Sequence, residues 1–263
     1  MTTLLDSLIK NVTENVPDDS RIIKGIWSVD CLYSPNNNGR TFDYKFLVTQ
    51  TKGQGCAYSA NRDYSSTELR ELIGQDFISH GISDTALLVS LLDSVYDKDK
   101  HTYEKRVLDA ESEIKSYWRT EIIASEAKRL LGSLRGKNVV NVGVVGSFLK
   151  KFGELGCSVL GTDYDEAIIG QTLFDAPIEN GDKTIEAVAN ADLAIVTGMT
   201  MATLTLDSIL STAARNSTKI IIFAETGANL APFFMQYGVD VFIGEPFPFY
   251  IFNGVSEIRV YRN

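Results

Sequence analysis

The chain has 263 residues, of which 44% are hydrophobic and 22% charged, and a formal net charge of −9 at pH 7. That is the composition of a globular protein, and the length accommodates two domains. The acidic balance excludes nucleic acid and anionic membrane as partners, because a surface without a positive stripe is repelled by both. Residues 1–10 lack the uninterrupted apolar stretch of a secretory signal, and no apolar run is long enough to cross a bilayer, so a cytoplasmic protein is expected. Three scattered cysteines, Cys31, Cys56 and Cys157, offer neither a disulfide framework nor a CxxC clasp. The two histidines, His80 and His101, stand apart, which excludes a His-rich metal site.

Leu4, Leu5, Leu8, Ile9 and Val12 have helical spacing, and Pro17-Asp18-Asp19-Ser20 breaks the pattern. Two β-rich runs follow, 22–33 and 41–50, joined through Pro35-Asn36-Asn37-Asn38-Gly39 as a hairpin with a long turn. Gly53-Gln54-Gly55 turns the chain into a third strand at 56–58, and 67–73 and 85–96 read as helices. Strands followed by helices make this part α+β. The stretch 97–106 is the most polar and reads as a boundary or connector. A helix over 120–134 presents Ile122, Ile123, Ala127, Leu130, Leu131 and Leu134 to a core, with no chemistry implied.

From residue 138 the rhythm changes. Apolar runs at 139–142, 159–161, 193–196, 219–223 and 239–243 alternate with helical segments, which indicates a parallel sheet covered on both faces. The alternating run 256–261 fits an antiparallel edge strand. The expected division is 1–105 for the small α+β domain and 106–263 for a Rossmann-like domain.

Ligands of such sheets bind beyond the carboxyl ends of the strands. Gly143 and Gly146 remove side chains where the backbone must approach a ligand, and Ser147 can cap the following helix, whose free amides attract anions. The spacing is G-x-x-G, short of the full dinucleotide fingerprint, so a bare strand-to-helix turn stays open. Asp163, twenty residues after Gly143, can accept a ribose diol or cap a turn. Thr197, Thr200, Thr203 and Thr205 supply more hydroxyls than a helix cap demands and suit an anionic group. Asp163, Glu225 and Glu245 make the mouth acidic, with no Lys or Arg at any strand end. Such carboxylates suit an amine, sugar hydroxyls or an oxygen-ligated metal, or they divide acid and base roles between them. Residues 244–250 are aromatic and stiffened by two prolines, and are expected to pack on the first domain.

Three segments carry a family resemblance: Asn141-Val142-Gly143-Val144-Val145-Gly146, the run from Thr197-Gly198-Met199-Thr200 to Thr205-Leu206-Asp207, and Gly238-Val239-Asp240-Val241-Phe242-Ile243-Gly244. In these the chain resembles the proteins labelled Putative heavy-metal chelation, a domain of unknown function. The resemblance implies a fold like the enolase N-terminal domain followed by a Rossmann-like domain, an active site between the two, and a link to metal or metallophore metabolism. Residues 86–96 resemble the family helix leading to an Asn-Ala pair, with Asp93 in place of the asparagine. Thr203 replaces another family asparagine, and Ala224-Glu225-Thr226 stands where Gly-Pro-Ser is usual, so a divergent member with a different ligand is expected.

The function expected is therefore small-molecule binding and catalysis in an interdomain cleft, with Glu225 and Asp163 as catalytic carboxylates. Gly143, Gly146, Ser147, Asp163, Thr197, Gly198, Thr200 and Thr205 would hold a nucleotide-type cofactor such as NAD or S-adenosylmethionine. The alternative is a non-catalytic binder of a divalent metal or metal chelate, with Glu225 and Glu245 as ligands. A third possibility is a scaffold that has lost catalysis. Partners are a small molecule or metal chelate, with self-association left open.

Overall fold

The computed structural model describes residues 3–34, 42–59 and 63–263; the expected turn at 35–39 lies outside them. The first part opens with helix α1 (Leu4–Asn15), started by a reciprocal cap in which the Thr3 hydroxyl and the Asp6 carboxylate each accept the other's backbone N–H at 3.0 Å. Strands β1 (Gly25–Tyr33), β2 (Phe42–Gln50) and β3 (Gln54–Tyr58) form an antiparallel sheet in that order. Helices α2 (Ser66–Leu72), α3 (Phe77–His80) and α4 (Thr85–Val95) follow. Asp84 caps α4 by accepting the Leu87 amide at 2.8 Å, and α4 is buried along most of its length.

The second part comprises β4 (Tyr103–Asp109), α5 (Ser112–Leu131), β5 (Asn138–Val142), α6 (Gly146–Glu154), β6 (Ser158–Asp163), β7 (Thr172–Leu173) and β8 (Ala176–Asn180). It continues with α7 (Thr184–Ala189), β9 (Leu193–Thr197), α8 (Met199–Ala202), α9 (Leu206–Asn216), β10 (Lys219–Ala224), α10 (Ala231–Phe234), β11 (Val241–Gly244) and β12 (Val255–Arg262). Its nine-stranded sheet runs β4-β12-β11-β10-β9-β5-β6-β8-β7. From β11 to β8 every neighbouring pair is parallel, and the antiparallel pairs lie at the two margins. This is a Rossmann-like, mostly parallel sheet preceded by a small α+β unit.

Successive residues of the buried strands point to opposite faces, and two cores result. Val139, Leu193, Ile195, Ile221 and Phe223 pack with Ile122, Ile123 and Ala127 of α5 and Phe148 and Phe152 of α6. Val140, Ala194, Val196, Ile220 and Ile222 join Ile209 of α9, Leu91 of α4, Leu47 of β2 and Leu8 of α1 in one cluster. A single apolar core thus ties the N-terminal unit to one face of the large sheet.

Three expectations need correction. The polar stretch 97–106 is not only a connector, because it leads into β4, which pairs with β12 along Tyr103–Asp109 and contains the expected boundary at 105/106. Its charged side chains are those of a sheet edge, which made it read as a linker. The run 256–261 is antiparallel as expected, but β4 lies outside it, so it is not the edge. Helix α5 begins at Ser112, because its first turns expose Ile114, Tyr117 and Trp118 and blur the one-sided pattern.

Candidate functional site

The chain leaves β5 to form β6 on one side and later returns to form β9 on the other, so the strand order reverses at β5. Such a reversal opens a crevice beyond the carboxyl ends of the strands. A pocket of about 270 Å³ lies there, lined by Gly143, Asp163, Thr197, Thr200, Thr203 and Thr205 together with Tyr164, Asp182, Thr184, Ile185, Met199 and Ile209. No Lys or Arg is among the described residues that line it.

Gly143 is fixed by two constraints. Its φ is +74°, and a Cβ there would lie 2.1 Å from the Thr197 hydroxyl oxygen. Thr197 ends β9 with only 7% of its surface exposed, and its Oγ1 has no hydrogen-bond partner. A buried hydroxyl left unbonded is costly, roughly 1–3 kcal/mol, so a group that bonds it gains accordingly. The other hydroxyls are already engaged: Thr200 Oγ1 donates to the Thr197 carbonyl at 2.8 Å, and the Thr203 and Thr205 hydroxyls pair at 3.0 Å. The Thr184 Oγ1 donates to Thr162 Oγ1 at 2.9 Å.

Asp163 reaches the pocket but also holds the turn together. Its Oδ2 accepts the Val144 amide at 2.7 Å and its Oδ1 the Asp165 amide at 3.0 Å. The neighbouring amides are taken as well: Val145 N–H bonds Asn141 Oδ1 at 2.8 Å and Gly143 N–H bonds the Thr162 carbonyl at 2.9 Å. Gly146 and Ser147 do not line the pocket. The Phe174 ring lies 3.3 Å from where a Gly146 Cβ would be, and Ser147 Oγ accepts the Thr120 hydroxyl at 3.1 Å. Ser147 is therefore not the helix cap expected of it; Val145 holds that position without a side-chain bond. Gly198 also lies outside, against the Thr226 carbonyl.

Glu225 and Glu245 follow β10 and β11 at the same end of the sheet but form a second centre. The mouth here is not purely acidic, because α5 delivers Arg119 between them. The Arg119 Nη1 lies 3.1 Å from Glu225 Oε1 and 3.7 Å from Glu245 Oε2. Its guanidinium carbon stands 3.7 Å from the Tyr250 ring centroid and 4.7 Å from that of Phe223. One turn earlier, the buried Lys115 donates to the Phe252 and Gly254 carbonyls and to Ser256 Oγ. Both cations thus fasten the segment 245–256, whose Phe249 packs on Phe46, Val48 and Cys56 of the N-terminal sheet, as expected of that aromatic stretch. Burial pushes the Glu225 carboxyl up to about 8, against the opposing pull of Arg119 and with a further push from Glu245. Glu245 is fully buried, neither of its oxygens has a hydrogen-bond partner, and burial raises its pKa too.

Glu225 and Glu245 do not fit a resident metal ion, because the guanidinium occupies the cation's place between them. No group of three or more His, Cys, Asp or Glu able to hold a metal occurs among the described residues.

A second cavity of about 500 Å³ lies between the two parts of the chain, bordered by Asp93, Asn229 and Arg259. Here the polar groups bond one another. Asp93 accepts the amides of Cys56 and Asn229 at 3.0 and 2.7 Å, and Arg259 Nη1 donates to Asn229 Oδ1 at 2.6 Å. Burial raises the Asp93 carboxyl to about 7 despite these donors. The larger cavity is a polar seam between the two parts, whereas the smaller one keeps an unbonded hydroxyl.

Sequence reasoning missed Arg119 and Lys115, although their spacing with Ile122 and Glu126 along one buried stripe of α5 is visible in the sequence. No helix of the described residues is long and apolar enough to cross a membrane.

Residues 126–244 match the family described as Putative heavy-metal chelation. Two solved structures of proteins of unknown function from this family are similar to the chain. The one from Desulfitobacterium hafniense DCB-2 has a TM-score of 0.58 at 14% identity, over 92% of this chain and 85% of that one. The one from Pyrococcus horikoshii has a TM-score of 0.51 at 16% identity, over 92% and 87%. At such identities the likeness shows the fold alone. No curated protein matches the chain.

Proposed function

We propose, from the match of residues 126–244 to the family described as Putative heavy-metal chelation, that the chain binds a small organic molecule in the crevice where the strand order reverses. The observation that carries this reading is the buried, unbonded Thr197 hydroxyl in a pocket built from three strand ends. Any link to metals then runs through an organic compound that serves or carries a metal. A bare ion held by Glu225 and Glu245 is disfavoured by the guanidinium between them.

A catalytic extension draws support from one further observation. Glu225 stands at the same end of the sheet, keeps 20% of its side chain exposed, and holds a proton near neutrality. A carboxyl of that kind exchanges protons near neutral pH, but Glu225 lies outside the pocket lining, so it serves only a ligand that reaches beyond those walls. Asp163, with both oxygens committed to backbone amides, is better suited to holding the pocket than to moving protons.

Native mass spectrometry of the freshly purified chain tests the binding reading. Thr203 is exposed at the pocket, so a Thr203→Trp variant plugs it without entering the core. A low-mass adduct carried by the wild type and lost in the variant is expected. An adduct retained equally by both would overturn the reading.

A further inference from the structure

The glycine turn after β5 has the form of an anion cradle, yet the amides of its first three residues are spent within the chain. Gly143, Val144 and Val145 donate to the Thr162 carbonyl, Asp163 Oδ2 and Asn141 Oδ1 at 2.9, 2.7 and 2.8 Å. The group at Val144 is itself a carboxylate, so the chain's own anion takes the anion seat at the head of the turn, just before α6 begins. The Phe174 ring flanks the start of α6 at Gly146. The pocket beside this turn holds the carboxylates of Asp163 and Asp182 and no Lys or Arg among the described residues. A phosphate entering it would meet like charge with no Lys or Arg among the described lining residues to offset it.

The remaining walls are informative. Ile185, Met199 and Ile209 are apolar, and Tyr164 lays its ring flat on Gly181, whose Cβ, if present, would be 2.6 Å from ring carbons. Flat apolar surface suits an aromatic ring, and the Thr197 hydroxyl and the carboxylates suit hydroxyl or amino donors. The volume of about 270 Å³ is at the small end of ligand pockets, which run from roughly 300 to 1,000 Å³, and matches a nucleoside more closely than a dinucleotide.

We infer that the pocket takes a phosphate-free, neutral or cationic nucleoside-like molecule, and that Asp163 selects against phosphorylated ligands by filling the anion seat itself. This deepens the binding reading above and rests on it. Of the two cofactor types expected from the sequence, the S-adenosylmethionine type meets the condition and NAD does not.

Calorimetric titration of the full chain with four probes provides the test: adenosine, S-adenosylhomocysteine, AMP and NAD. Adenosine or S-adenosylhomocysteine is expected to bind, with AMP and NAD at least tenfold weaker. Asp163→Asn keeps an acceptor for the turn but removes the charge, and is expected to narrow that gap. Should this variant be unstable, Asp182→Asn, at an exposed position, reports the same charge effect. AMP or NAD binding as tightly as adenosine overturns the inference, as does binding of none of the four. The binding reading fails separately: it falls if the native adduct survives Thr203→Trp, whichever probe binds.

Discussion

Replacing Arg119 by Met tests the second centre most severely. The substitution keeps much of the side-chain volume but leaves the fully buried Glu245 and the largely buried Glu225 without their shared cation. Removing one partner of a buried ion pair costs about 3–5 kcal/mol, to which the lost stacking on Tyr250 adds roughly 0.5–2 kcal/mol. The two glutamates can escape the charge cost by binding protons, so the loss depends on pH. The Glu225 midpoint stands at about 8, above the usual 4.5. Its contribution to stability is therefore fully present below 4.5 and is lost as pH rises through about 8. Without Arg119 the pair neutralises even more readily. Urea denaturation followed by circular dichroism should find Arg119→Met destabilised by about 3.5–7 kcal/mol at pH 9 but by only about 1–2 kcal/mol at pH 5.5, where lost packing and stacking remain. Adding Glu225→Gln and Glu245→Gln should recover part of the pH 9 deficit. A loss that is equal at both pH values, or below about 1 kcal/mol at pH 9, refutes the assignment of Arg119 as counter-charge to a buried carboxyl pair.

Four other substitutions address the pocket and the seam. Gly143→Ala forces a Cβ onto Thr197 at positive φ and should cost at least about 1–2 kcal/mol from backbone strain alone; an unchanged melting curve contradicts the packing described. Thr197→Val removes an unbonded buried hydroxyl, so the free chain should gain up to about 1–3 kcal/mol while ligand affinity drops; a loss of stability contradicts the orphan status of that oxygen. Asn229→Ala removes the side chain that bonds the Gln54 and Asp93 carbonyls and the Arg259 guanidinium across the seam and should cost about 1–3 kcal/mol in denaturant. Asp93 is raised to about 7, so its share of stability also falls as pH rises from 4 through 7, and Asp93→Asn should flatten that slope.

Much of the sheet was legible in the sequence because a parallel strand buried on both faces is apolar without interruption, and β5, β9 and β10 read in this way. The same uniformity named the strand ends, and with them Gly143, Asp163, Thr197 and Thr200 as neighbours. Elements that bury little were hidden. The edge strand β4 carries its charges toward water, β7 has two residues, and β8 includes Pro177, which argues against a strand. The division of the strand ends into two centres was not legible either. It depends on Arg119 arriving from a helix 106 positions before Glu225, and no local pattern encodes a contact at that separation. Nor could spacing reveal that Asn141 and Asp163 bond the turn's own amides. A G-x-x-G turn looks alike whether its donors face a ligand or the chain.

The most direct measurement is a methyl-resolved NMR map of the full chain, labelled at Ile, Thr and Val, during titration with S-adenosylhomocysteine. Signals from Ile185, Thr197, Thr200 and Ile209 should shift together and saturate, while Val95 and Val255 at the larger cavity stay in place. Movement confined to the latter pair, with the former fixed, would contradict a binding site at the reversal of strand order.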